Sequence, residues 1–215
     1  MIQKIPLFPL NTVLFPGASL TLHIFEERYR LMVGRCLEQN LPFGVVLIRE
    51  GEEVGQPAVP YTIGTTAQIN ANVRMEDGRY YIATVGQRRF RVQYALQRIP
   101  YMIASVALLP EESVAEVTSS AQELRTIYER YWQAIATATG FPAKGEDLPQ
   151  DVVAMTYQLA DRLQVTNERK QRWLEADVTT RVREITAVLR AELSLLPQTS
   201  KGGQEEDWNG SGSLN

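Results

Sequence analysis

Histidine and cysteine are almost absent: the 215 residues hold one of each, His23 and Cys36. A lone cysteine makes no internal disulfide and no cysteine-rich zinc site, so nothing points to an oxidising compartment. Basic residues are not in excess either. Lys and Arg total 22 against 25 Asp and Glu, a formal net charge of −3, so the electrostatic footprint of a nucleic-acid binder is missing. No run approaches eighteen uninterrupted apolar residues. The opening MIQKIPLFPLNTVLFPG carries one Lys and is broken by Pro6, Pro9 and Pro16, unlike a signal peptide or a membrane span. A cytoplasmic protein without nucleic-acid or membrane partners is the expectation, and the missing targeting signals suit a bacterial one.

Catalytic motifs are missing as well. There is no G-x-x-x-x-G-K-S/T run to wrap phosphates in backbone N–H groups, no dinucleotide fingerprint, no H-E-x-x-H helix and no G-x-S-x-G elbow. His23 and Cys36 are the one possible imidazole–thiol pair. However, Cys36 sits on an apolar helix stripe, where thiols are inert. The acidic pairs Glu52-Glu53 and Glu111-Glu112 suggest neither a metal site nor a general acid and base; the second suits a helix start. No cofactor, metal or catalytic residue is expected.

What is present divides the chain in two. From Ile2 to about Leu109 the pattern is short, β-branched and aromatic, with Pro and Gly marking turns. Leu20, Leu22 and Ile24 alternate with Ser19, Thr21 and His23, which predicts a strand with His23 on the polar face. Glu26 to Gln39 changes to helical spacing, with Tyr29, Val33, Cys36 and Leu37 on one stripe. Phe43 to Ile48 is apolar apart from Gly44 and reads as a central strand. Between Ile63 and Met75 apolar residues keep to odd positions. Asp77-Gly78 then predicts a two-residue type I′ turn, with Glu76 opposite Arg79, Met75 opposite Tyr80 and Val73 opposite Ile82. Gly86 predicts a bulge or corner that lets the sheet curl, and Tyr101 to Leu109 a further strand.

Beyond Pro110 the composition turns helical. Val117, Leu124, Tyr128, Tyr131, Trp132 and Ile135 predict a long helix ending near Gly140. A second helix is expected from about Pro149 to Leu163, starting after Asp147 or Leu148. Thr166 and Asp177 are the expected N-caps of a third and a fourth. Residues 198–215 have too little apolar content to offset ordering entropy and read as a disordered tail. The expected domains are thus 1–110, β-rich, and 111–197, a helical bundle.

Two stretches invite a binding role. Arg88, Arg89 and Arg91 form a basic cluster around Phe90, read as ion pairs or a solvated sheet face before any RNA or DNA site. The loop from Glu50 to Tyr61 is long enough to be a binding rim, though a variable surface connection explains it equally simply.

Residues 5–48 are similar to the opening of the N-terminal substrate-binding domain of Lon proteases. The resemblance rests on Pro6-Leu7-Phe8-Pro9-Leu10, Leu14-Phe15-Pro16-Gly17, His23-Ile24-Phe25-Glu26 with Arg28-Tyr29-Arg30, and Phe43-Gly44-Val45-Val46. It continues through Val54-Gly55, Ile63-Gly64-Thr65, Asp77-Gly78-Arg79 and Gly86-Gln87-Arg88-Arg89-Phe90-Arg91-Val92. In the helical half it rests on Leu159-Ala160-Asp161, Lys170-Gln171 and Leu174-Glu175. The resemblance implies an α+β fold: a β-rich pseudo-barrel of curved antiparallel sheets with one inserted helix, then a small four-helix C-terminal bundle. It further implies an ion pair between Glu26 and Arg28 beside Tyr29. The implied function is non-enzymatic binding of unfolded or tagged polypeptides in protein quality control, as an adaptor for a separate ATP-dependent protease. Lon's AAA+ and Ser-Lys protease parts have no counterpart in these residues. The alternative is a regulatory protein that binds one dedicated folded partner through its helical half. The sequence does not locate a groove; Tyr61, Met75, Tyr80 and Tyr101 are the substrate-binding residues it suggests.

Overall fold

The computed structural model describes residues 2–52, 58–110 and 117–196. The strands are β1 (Ile2–Leu10), β2 (Ser19–Ile24), β3 (Phe43–Glu50), β4 (Val59–Pro60), β5 (Ile63–Arg74), β6 (Tyr80–Gln97) and β7 (Met102–Leu108), with α1 (Glu27–Gln39) inserted after β2. Four helices follow, α2 (Thr118–Thr139), α3 (Val152–Arg162), α4 (Asn167–Glu175) and α5 (Val178–Leu195). The middle of the 50–61 loop, the Glu111-Glu112 pair and the 198–215 tail lie outside the described residues.

The strand order β1-β7-β6-β5-β3 returns from β3 to β1, with β2 added beside β6 and β4 beside β3. Pairing is antiparallel except between β1 and β3, which run parallel (Leu7 beside Gly44, Leu10 beside Leu47). A parallel pair needs a long crossover, and α1 supplies it. Bulges and the short β3–β5 ladder leave a curved pseudo-barrel instead of a regular barrel. Inside the ring Phe90 is fully buried with Leu7, Val46 and Val106, in space that Gly44 and Gly64 leave by lacking a side chain.

β6 spans both halves of the sheet. Tyr80–Val85 pairs with β2 and Phe90–Gln97 with β7, on the same side of the strand. Gly86 stands between them. Its N–H donates to the Ala18 carbonyl at 2.9 Å, and a Cβ there would lie 2.3 Å from the Phe15 carbonyl oxygen. The adjacent bulge is satisfied by Thr66, whose hydroxyl donates to the Arg88 carbonyl and accepts from its N–H. The corner expected at Gly86 is thus present.

The expected two-residue turn is not. Met75 donates to the Arg79 carbonyl at 2.8 Å, Arg74 pairs with Tyr80 and Val73 with Tyr81, so Glu76, Asp77 and Gly78 form a three-residue loop. The reason is local: of the central residues only Gly78 has positive φ (82°), and the Asp77 carboxylate accepts from the Arg79 N–H, holding the loop open by one residue. Every cross-strand pair near the turn shifts by one. A second bulge, at Asn70, reverses the faces of β5: Ile63 and Ala67 are buried, whereas Ala71 and Val73, still at odd positions, are exposed.

Two helix starts and one helix end fall where expected. Thr166 and Asp177 accept from the N–H groups of Arg169 and Thr180, and α2 ends at Gly140. Only α3 begins later than expected, because Asp151 caps it by accepting from Ala154 at 2.7 Å. The helices bury Leu124, Met155, Trp173, Leu174 and Ile185 in one cluster with Val13, Phe15, Leu47 and Ile63 of the β-rich part. Each such side chain stabilises by about 1.5–3 kcal/mol relative to exposure.

Candidate functional site

The basic cluster of β6 proves largely structural. Arg89 reaches the C-terminal end of α4, donating to the Leu174 and Ala176 carbonyls at 2.9 and 3.1 Å, and Arg88 donates to the Leu109 carbonyl. The buried Arg181 converges on the same helix end. It donates to Ala176 at 2.9 Å and to the Thr156 hydroxyl at 2.9 Å, with its guanidinium 4.1 Å from the centre of the Tyr157 ring. Unpaired carbonyls and the negative end of the helix dipole account for both arginines.

Cys36 and His23 are on opposite sides of the sheet. Cys36 is buried in the cluster under α1, and burial pushes its thiol up to about 11. At neutral pH it is protonated and no nucleophile. His23 is exposed on the outer face and stacks on Tyr81, ring centres 4.5 Å apart. The implied ion pair is present: Arg28 holds Glu26 at 2.9 Å and lies over the Tyr29 ring. Among the described residues no three His, Cys, Asp or Glu side chains gather as for a metal ion.

The four residues suggested by the sequence do not share one surface. Tyr80 and Tyr101 are buried in the cluster between the sheet and α1. Met75 is half-buried at the start of the hairpin loop, and Tyr61 packs against the cluster that joins the sheet to the helices.

A different surface stands out, on the outer face of β2, β6 and β5. Register places His23, Tyr81 and Val73 in one row across the three strands, and Thr21, Ala83 and Ala71 in the next. Phe25 extends the first row, its ring 5.7 Å from His23. Val73 is 65% exposed, Phe25 49% and Tyr81 46%, large values for apolar side chains grouped together. Beside them, β2 pairs only with β6, so among the described residues its other edge carries no ladder. An open edge next to aromatic side chains is suited to accept an extended chain as an added strand. Sequence reading placed His23 on this face but missed Tyr81 and Phe25. The signal was obscured because the bulge at Asn70 and the longer turn move Val73 outward and opposite Tyr81.

Comparison with known proteins agrees with the fold. Residues 4–191 match the family model described as the ATP-dependent protease La (LON) substrate-binding domain. Lon protease 2 of Myxococcus xanthus is 26% identical over 205 residues, covering 93% of this chain and 25% of that protein. Lon protease of Koribacter versatilis is 29% identical over 208 residues, covering 90% and 24%. The chain thus spans about a quarter of the length of the curated relatives it matches. A crystal structure of a Lon N-terminal domain protein from Xanthomonas campestris superposes with a TM-score of 0.65 at 27% identity, over 86% of this chain and 98% of the other. The N-terminal domain of a Mycobacterium avium complex Lon protease shares the fold, with a TM-score of 0.62 at 18% identity over 89% and 98%.

Proposed function

Because this chain belongs to the family of LON substrate-binding domains, we propose that it binds extended segments of unfolded or tagged polypeptide, and that the outer face of β2, β6 and β5 is where it does so. The family match covers the substrate-binding domain alone, and these residues contain no ATPase or peptidase domain. Binding without catalysis is the role that remains. The observation that carries the reading is the edge of β2 that bears no ladder among the described residues, beside Phe25, His23, Tyr81 and Val73. Main-chain hydrogen bonds to that edge are indifferent to client sequence, while the aromatic row favours apolar side chains at alternate positions. Met75, at the end of the hairpin, extends the surface, and Tyr80, opposite Ile24 and Arg74, packs beneath it; Tyr61 and Tyr101 lie elsewhere. Bound clients are then handed to a separate ATP-dependent protease.

Calorimetric titration against a chemically unfolded model protein and its folded form tests this. The unfolded form binds preferentially, and Tyr81→Ser weakens it by about tenfold, the usual effect of truncating an aromatic anchor. Equal affinity for both forms, or an unchanged affinity in the variant, contradicts the assignment. Pull-down from lysate yields many heterogeneous clients; a single stoichiometric partner would favour a dedicated folded partner instead.

A further inference from the structure

A second surface differs from the first in being small, concave and charged with one sign. It lies between the C-terminal half of α1 and strands β1 and β7, a groove of about 220 Å³. Met32, Cys36 and Tyr101 form buried apolar walls, and Leu41, 47% exposed, overhangs the rim. Among the described residues the charged groups lining it are Lys4 and Arg35, with no carboxylate. Both cations are exposed, and neither forms an ion pair with another described residue.

We propose that this groove binds the C-terminal residue of a polypeptide, with an apolar side chain against Met32, Cys36 and Tyr101 and the terminal carboxylate between Lys4 and Arg35. The volume is below the roughly 300 Å³ at which sites for drug-sized ligands begin, so it suits a single inserted side chain. The charge selects further. An internal residue would present a neutral amide to the two cations, whereas a chain terminus presents an anion directly joined to the apolar group, and charge-assisted hydrogen bonds are the stronger kind. A fatty acid offers the same pairing of carboxylate and apolar body but no peptide N–H or further residues to contact the surrounding surface. The inference rests on polypeptide being the client and adds a preference for free, apolar C-termini, at a surface separate from the β2 edge.

Fluorescence anisotropy of the full chain with a labelled short peptide ending in Leu, as the free acid and as the C-terminal amide, tests it. The acid binds about three- to tenfold more tightly than the amide, as two solvent-screened ion pairs allow. The double variant Lys4→Gln, Arg35→Gln abolishes that difference, with far-UV circular dichroism unchanged because both side chains are exposed. Tyr81→Ser leaves the acid-to-amide ratio as it was, so failure of the β2-edge assignment is read separately from failure of this one. Equal binding of acid and amide, discrimination that survives the double variant, absence of saturable binding of the acid, or decanoate binding without peptide binding would each overturn it.

Discussion

At the scale of single residues, close packing assigns roles that residue type alone does not. Gly86 was legible in the sequence as an interruption of a strand, and the structure adds the reason: the Phe15 carbonyl occupies the space of a side chain. Gly86→Ala therefore lowers stability by about 2–3 kcal/mol, read as a lower urea midpoint with an unchanged slope. Cys36 was likewise legible, since it falls on the apolar stripe of α1. With its thiol raised to about 11 by burial, native protein at pH 7.5 reacts with iodoacetamide about a hundredfold slower than a free cysteine, and urea-unfolded protein at the ordinary rate. Mass spectrometry of timed samples distinguishes the two. Tyr81 was legible only in part. Alternation with the buried Tyr80 and Ile82 turns it outward in either register, but Val73 comes to lie opposite it only through a bulge and a turn one residue longer than the Asp-Gly pair suggests.

At the scale of elements, the helix starts were the most readable features, because a cap acts within its own turn. Thr166 and Asp177 needed only the residues three positions on. Asp177→Ala costs about 1 kcal/mol at neutral pH, measured by thermal or urea unfolding. The hydrogen bond from Thr180 holds the Asp177 carboxyl below its ordinary value, with burial opposing, so the ionised form is favoured in the folded state. Stability from such a group is complete above its unfolded pKa and is lost as pH falls through the folded one. The deficit of Asp177→Ala is accordingly constant above about pH 4 and shrinks below it. The α3 start was misplaced because Pro149 suggested a first turn while Asp151 provides the cap. Turns and bulges were the least readable elements, since the register of β5 on β6 depends on both ends of an eighteen-residue strand.

At the scale of the whole molecule, the change of composition at Pro110 was visible in the sequence, but the way the two parts join was not. The junction depends on residues far apart: Gln171 donates to the Ile63 carbonyl, Asn167 to that of Asn11, and Arg89 to the end of α4. Residues 1–110 expressed alone expose Val13, Phe15, Leu47 and Ile63, and elute as aggregates in size-exclusion chromatography, whereas the full chain elutes as a discrete species. A monomeric, cooperatively folded fragment would refute this. The same cluster governs how the protein is made. Sheet residues near the start of the chain are covered by helices that end at Leu195, so during translation a growing chain with most of its strands already outside the ribosome still displays an apolar patch. A protein read as a receptor for unfolded chains thus resembles its own clients until those helices have emerged and packed.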